Sequence, residues 1–273
     1  MVDCDTLIKA TDVSIVFGGL KAVSEFSCKI AHGELVGLIG PNGAGKTTLF
    51  NILSGIYAPS SGEIIFFDRK KRAHNIGSLS PANLNRIGIA RTFQNIRLFG
   101  NLSVEDNVRI ALHEQRASNM FDAMLRLPRF YQDEQNMTKK TASLLSLFKI
   151  ENKKSDLAKN LPYGDQRKLE IARALASNPV LLLLDEPAAG MNPQETDELM
   201  KLINTIRHDF NLTILLIEHD MRFVMGLCER IIVLDYGKMI ANGLPQEVKH
   251  SPEVIKAYFG SAETGFPSNF MVK

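Results

Sequence analysis

The 273-residue chain contains no apolar run approaching the ~18 residues that a membrane-spanning helix needs. No part of it is expected to cross a bilayer, and any membrane role must come through a partner. Cysteine is scarce. Cys4, Cys28 and Cys228 are scattered and odd in number, with neither metal-ligand nor disulfide spacing, which suits a reducing cytoplasm. Met1-Val2-Asp3-Cys4-Asp5 carries no basic segment and no apolar stretch, so secretion is not expected. An excess of one charge is missing too. The net charge is +2, so nothing in the balance argues for nucleic acid. The one basic run, Arg69-Lys70-Lys71-Arg72, follows an expected strand in a polar stretch and reads as a solvated loop. Internal repeats and low-complexity segments are absent. What remains, 45% hydrophobic and 23% charged, is ordinary globular composition, enough for one large domain or a domain with a sizeable insertion.

Against that plain background, Gly40-Pro41-Asn42-Gly43-Ala44-Gly45-Lys46-Thr47-Thr48 stands out. It fits G-x-x-x-x-G-K-[ST], and its setting matters as much as its letters: Leu35–Ile39 is a short apolar run suited to a buried strand, and Thr48–Leu53 continues as a helix. Glycines let successive backbone N–H groups turn inward, and the helix N-terminus adds partial positive charge. In such a loop Lys46 reaches the β- and γ-phosphates of a nucleotide and the Thr47 hydroxyl holds Mg²⁺. The plain alternative is an ordinary glycine turn.

Residues 7–30 alternate as antiparallel strands do, in the runs Leu7–Ala10, Val13–Phe17 and Phe26–Ile30, with Gly18-Gly19 as a turn. Phe17, at a strand end, can stack on an adenine or simply cover the turn. Glu63–Phe67 reads as a strand, 68–79 as loop, and Ser80-Pro81 as the start of a short helix, with serine at the N-cap and proline at the first helical position. Ile87–Gln94 reads as another buried strand. From about 96 to 160 apolar residues recur at helical spacing, and Asn119–Arg129 mixes Met, Phe and Leu with basic residues; this is a helical insertion. Its apolar stripes are core or a docking surface. Strand signals return at Val180–Leu184, Thr213–Ile217, Arg230–Leu234 and Lys238–Ala241, the last two a hairpin around Tyr236-Gly237. Helices are expected over Pro193–Phe210, Pro245–Lys249 and Pro252–Tyr258, with a loosely held tail from Ser261.

Strands alternating with helices imply a mostly parallel sheet, and ligands of such sheets sit beyond the carboxyl ends of the strands. Gln94, Asp185-Glu186 and His219 all fall at strand ends, the same edge as the phosphate loop. Asp185 closes an apolar strand, where a nucleotide hydrolase places the carboxylate that binds Mg²⁺ directly or through water. Glu186 can orient a water for in-line attack on the γ-phosphorus. His219 can bridge the γ-phosphate and that base. Gln94 can ligate Mg²⁺ or position the water. Ahead of an amphipathic helix over Lys168–Leu175 stands Leu161-Pro162-Tyr163-Gly164-Asp165-Gln166-Arg167, a second glycine at a helix N-terminus and so a second anion cradle. One nucleotide does not need two cradles in one chain, and the economical reading is a dimer with ATP at the seam.

Together these residues resemble the ATP-binding subunits of ABC transporters, over nearly the whole chain. Gly40–Thr48 resembles Walker A, Gln94 the Q-loop glutamine, Leu161–Gln166 the signature, Val180–Asp185 Walker B with Glu186 as base, Ala189–Asn192 the D-loop and His219 the switch histidine, while Phe17 matches the adenine-stacking aromatic. Within the family, Gly88–Gln94, Asp185–Pro193, Ile217–Met221 and Pro252–Tyr258 look like the importers of branched-chain amino acids, with the ATPases for urea, short amides and lipopolysaccharide sharing much of the pattern. The resemblance implies an α/β fold: a nucleotide-binding core with an antiparallel β edge (1–95 and 166–273) around a helical insertion (about 96–165). It implies ATP and Mg²⁺, with Tyr163 and Gly164 facing the ATP of a second ATPase subunit in a homo- or heterodimer. It also implies permease subunits, a periplasmic binding protein indirectly, no nucleic acid, and a place on the cytoplasmic face of the inner membrane. Pro162 stands where the usual signature has serine, Asp165 where it has glutamine, and Asn192 replaces the D-loop aspartate. The importer resemblance implies pairing with a second, different ATPase subunit, and the two composite ATP sites of that heterodimer are then expected to be unequal. A soluble P-loop kinase or GTPase would explain 40–48 and 185 but not His219 or the segment at 161. A non-transport ABC protein of translation or DNA repair would usually carry two cassettes or a long coiled coil, and this chain has neither.

Overall fold

In the computed structural model, residues 5–113 and 128–259 are described. Met1–Cys4, residues 119–127 of the expected helical insertion and the tail from Ser261 lie outside them. The described chain divides into two compact units, one within 1–91 and 180–273 and the other within 92–179.

The first unit holds two sheets. Strands β1 (Thr6–Phe17), β2 (Leu20–Ala31), β4 (Ser61–Phe67) and β5 (Ala73–Asn75) make an antiparallel sheet in the order β2-β1-β4-β5. The two runs expected over 7–10 and 13–17 are one strand. A bulge joins them at Asp12, which adopts φ 49° and is held by Ser27, whose hydroxyl accepts from the Asp12 N–H at 2.8 Å. The stretch 68–79, expected as loop, contains β5. Its low β propensity hid it, but the buried Asp68 carboxylate folds the chain back by accepting from the N–H groups of Lys70 and Arg72 and from the Arg72 and His74 side chains. The basic run therefore makes this turn.

The second sheet runs β10-β9-β3-β8-β7-β6, where β3 is Leu35–Ile39, β6 Ile89–Arg91, β7 Leu181–Asp185, β8 Thr213–Ile217, β9 Arg230–Asp235 and β10 Lys238–Gly243. All pairings are parallel except β9 with β10. Every residue of β3, β7 and β8 is buried, as their unbroken apolar runs require of parallel strands covered on both faces. Helix α1 (Lys46–Leu53) follows β3 and contributes Leu49, Phe50, Ile52 and Leu53 to a core shared with β1, β2, β4, β7, β8 and β9. The strand expected over Ile87–Gln94 is shorter. Helix α2 (Pro81–Ile87), capped by Ser80, takes Ile87, and Gly88 ends it with φ 108°, so β6 keeps three residues.

The second unit is helical: α3 (Val104–Leu112), α4 (Pro128–Leu147) and α5 (Tyr163–Ala176), with 3₁₀ turns at Glu151–Lys153 and Ala158–Asn160. Helix α5 begins at Tyr163, earlier than the expected Lys168, because Pro162 supplies the N-cap conformation and its carbonyl accepts from Gln166 N–H at 3.0 Å. It groups with the insertion, so the compact units part at 179/180, past the expected boundary near 165.

Candidate functional site: a phosphate loop and a carboxylate–histidine pair

The chain turns sharply at Gly40, where φ is 150° and a Cβ would lie 2.1 Å from the Leu234 carbonyl oxygen, so only glycine fits. Through Pro41, Asn42, Gly43 and Ala44 the loop wraps the Lys46 ammonium, which donates to the carbonyls of Gly40 at 2.8 Å and Pro41 at 2.9 Å. Burial holds this lysine below its ordinary pKa, while the nearby charge of Glu186 pulls it up. A cavity of about 490 Å³ opens here, lined by Gly43–Thr48 together with Phe17, Leu20 and Tyr236. A glycine-rich loop and aromatic side chains lining one cavity suit a nucleoside triphosphate. The Phe17 ring is braced edge-on by Tyr57 at 5.2 Å between centroids.

Strands β7 and β8 end side by side, Asp185 paired with Ile217. Glu186 follows with φ 46°, a left-handed conformation that costs a non-glycine residue of order 1–3 kcal/mol and concentrates at functional sites. Its N–H donates to the Ile217 carbonyl at 2.9 Å, which aims the side chain at the β8 end, and its Oε1 lies 3.0 Å from His219 Nε2. A carboxylate beside an imidazole, both partly open to solvent, can receive and hold a water proton.

Two further charged residues here, Glu218 and Arg91, have no role assigned from the sequence. Glu218, 4% exposed, accepts from the N–H of Ala188 at 2.7 Å and of His219 at 3.1 Å, tying the turn after Glu186 to the histidine. Burial raises its pKa, with the Glu186 charge adding to the rise. Arg91, at the end of β6, donates to Asp185 Oδ2 at 2.6 Å and to Asn51 Oδ1 and Ser54 Oγ, both at 2.7 Å. This arginine, its side chain 7% exposed, links the Asp185 carboxylate to α1. Asn192, at the D-loop position, accepts from Glu195 N–H at 3.0 Å and caps helix α6 (Pro193–Phe210), with Glu195 answering from the first turn.

A cluster of three or more His, Cys, Asp or Glu suited to a metal is absent among the described residues. Mg²⁺ does not need one. It keeps several waters and takes one or two protein groups plus substrate phosphates, and the Thr47 hydroxyl and a carboxylate at the position of Asp185 fit that donor set.

The structure thus brings Phe17, Gly40–Thr48, Asp185, Glu186 and His219 into one unit. Gln94, Tyr163 and Gly164 belong to the other. There the Gln94 carbonyl and the Tyr163 hydroxyl both accept from Arg167, at 2.9 and 3.3 Å, and Gly164 sits in the first turn of α5. Asp165, beside it, has its charge answered by Lys153 at 2.5 Å and Lys168 at 3.8 Å.

The ABC transporter family pattern matches residues 23–189, which span the loop, Asp185 and Glu186. The chain belongs to the ABC transporter ATP-binding family. Residues 238–264 of this ABC ATPase also match the pattern described as branched-chain amino acid ATP-binding cassette transporter. The chain is 43% identical over 256 residues, 94% of its length and 98% of the relative's, to the high-affinity branched-chain amino acid transport ATP-binding protein LivG of Salmonella typhimurium. It is 33% identical over 253 residues, 93% and 97% of the two lengths, to the lipopolysaccharide export system ATP-binding protein LptB of Escherichia coli. Among solved structures, the ADP conformation of an ATP-binding cassette of an ABC transporter superposes with a TM-score of 0.79 at 26% identity, covering 94% of this chain and 99% of that one. The fold is that of an ABC ATPase, and among the described residues no helix is long and apolar enough to cross a membrane.

Proposed function

We propose that this ABC ATPase energises the import of branched-chain amino acids, working as a peripheral subunit at the cytoplasmic face of the inner membrane. The observation that carries the catalytic part is the Glu186–His219 contact at 3.0 Å beside the lysine of the phosphate loop. The triphosphate of ATP lies on the N–H groups of Gly40–Thr48, with the adenine against Phe17. Lys46 exchanges the loop carbonyls for β- and γ-phosphate oxygens. Thr47, Asp185 and Gln94 are the groups that hold Mg²⁺, directly or through water. When bound, that ion would neutralise charge on the phosphates during transfer. Glu186 takes a proton from a water lying in line with the γ-phosphorus. The water oxygen bonds to phosphorus as the bond to the β–γ bridging oxygen breaks, leaving ADP, phosphate and a proton on Glu186. His219 holds that carboxylate and donates to the γ-phosphate.

Tyr163 and Gly164 face the ATP of a second, different ATPase subunit, whose own signature completes the site at Gly40–Thr48. Permease subunits receive the motion through the Gln94–Phe99 loop and the helical insertion, and a periplasmic protein delivers the substrate. The amino-acid assignment is supported by the match at the C-terminal end and by a closer likeness to LivG than to LptB. Glu186→Gln is expected to bind Mg²⁺-ATP with little change in affinity, to trap the closed dimer and to lose turnover by at least about a hundredfold, the usual scale of a general base. Steady hydrolysis near the wild-type rate by that variant would refute the assigned base.

A further inference from the structure

The largest fully buried side chain among the described residues is a charged one, Arg167 on α5, 0% exposed. It pairs with Glu170 one turn on, 1% exposed, at 2.8 Å. An arginine–glutamate pair three residues apart on a helix needs no burial to form, and burying one costs desolvation that an apolar pair of similar size avoids. The hydrogen bonds show where the remaining capacity of both groups goes. Arg167 Nη1 donates to the Phe93 carbonyl at 2.7 Å and Nη2 to the Gln94 carbonyl at 2.9 Å. Glu170 Oε1 accepts from the N–H of Phe93 at 3.3 Å and of Arg97 at 3.2 Å. Both sides of the Phe93 residue are therefore gripped, its N–H by Glu170 and its C=O by Arg167. Arg167 also donates to the hydroxyl of Tyr163, the first residue of the same helix, at 3.3 Å. This ion pair thus meets backbone groups of the loop after β6 at Phe93, Gln94 and Arg97.

We infer that Arg167 and Glu170 are positioning residues that lock the Gln94 loop to the helix carrying Tyr163 and Gly164, so that the two move as one piece. The inference rests on the reading of Gln94 and Tyr163-Gly164 as nucleotide-facing groups. Its consequence goes beyond that reading. Gln94 answers the ATP held by this chain and Gly164 the ATP held by the companion subunit, so the clamp carries the state of one composite site to the other. Neither residue touches the substrate, and the fork geometry of arginine is needed because two carbonyls and a carboxylate must be met at once.

Amide hydrogen exchange on the full-length chain, titrated with Mg²⁺-ATP, tests this. In the wild type, protection at 93–97 and at 163–166 should change together, at the same nucleotide concentration, although 163–166 does not face this chain's own nucleotide. Glu170→Gln, of the same shape, should speed exchange at 93–97 about tenfold or more, the weight of hydrogen bonds to a charged group. In that variant 163–166 should no longer follow nucleotide binding, while protection of Leu181–Asp185 stays as in the wild type. Arg167→Lys, which keeps the charge and drops the fork, should behave the same way. Independent responses of the two segments in the wild type, or linked responses preserved in both variants, would overturn the inference. Gln94→Ala separates the two ideas: wild-type turnover by it would sink the nucleotide-facing role, whereas the linked exchange is read in the unaltered chain and needs no catalysis.

Discussion

At the level of single residues, the site depends on buried charges that meet across long stretches of chain. Arg91 and Asp185 are 94 positions apart and their side chains are 7% and 6% exposed. Removing one partner of such a pair leaves an uncompensated buried charge, so Arg91→Met is expected to lower unfolding stability by about 3–5 kcal/mol. Combining it with Asp185→Asn should recover part of that loss in a denaturant titration, because the stranded charge is then gone. A single variant as stable as the wild type would show that the pair is not felt. The residues proposed for the chemistry stand out in the sequence because each sits in a local pattern: glycines around Lys46, Asp185-Glu186 after an apolar strand, His219 at a strand end. Arg91, Arg167, Glu170 and Glu218 do not, since their partners are set by which strand ends and helix turns the fold places together. Glu218 offered one clue, a carboxylate beside His219 at the end of an otherwise apolar strand, which burial made costly and hydrogen bonding to two N–H groups made tolerable.

For whole elements, legibility followed burial. The fully buried strands β3, β7 and β8 were read to within a residue, and α6 to both ends, because Asn192-Pro193 starts it and Asn211 closes it with φ 49°. Elements set by turns, bulges and caps were hidden: β5 depends on Asp68, the continuity of β1 on a bulge at Asp12, and the early start of α5 on a proline cap. Asp68 lends itself to a pH test. Burial would raise its pKa, but hydrogen bonds from the Arg72 backbone and side chain, from His74 and from the Lys70 backbone outweigh that and hold it well below the usual carboxylate range. A depressed carboxyl contributes stability that is present above its ordinary value of 3.8 and is lost as pH falls toward the folded-state value. Asp68→Asn is therefore expected to lower the melting temperature at pH 7, with the gap to the wild type closing as the pH drops below about 4. A gap that stays constant from pH 7 to pH 3 would mean that shape, not charge, holds this turn.

For the molecule as a whole, the α/β core and the helical insertion were legible as a change of period, from short apolar strands to helical spacing, and back again at Val180. The substrate was not legible in any contact, since an ATPase subunit of this family works on a nucleotide and leaves the transported molecule to its partners. The proposal that this chain powers branched-chain amino acid import is open to one direct measurement. The complex containing it, with its permease subunits, companion ATPase and binding protein, would be placed in vesicles with ATP on the side of this subunit. Uptake of labelled leucine, isoleucine and valine would then be followed beside that of urea and a short amide. The expected result is ATP-dependent accumulation of the three amino acids, abolished when this chain carries Glu186→Gln. Accumulation of urea or the amide with none of leucine, isoleucine or valine would contradict the account.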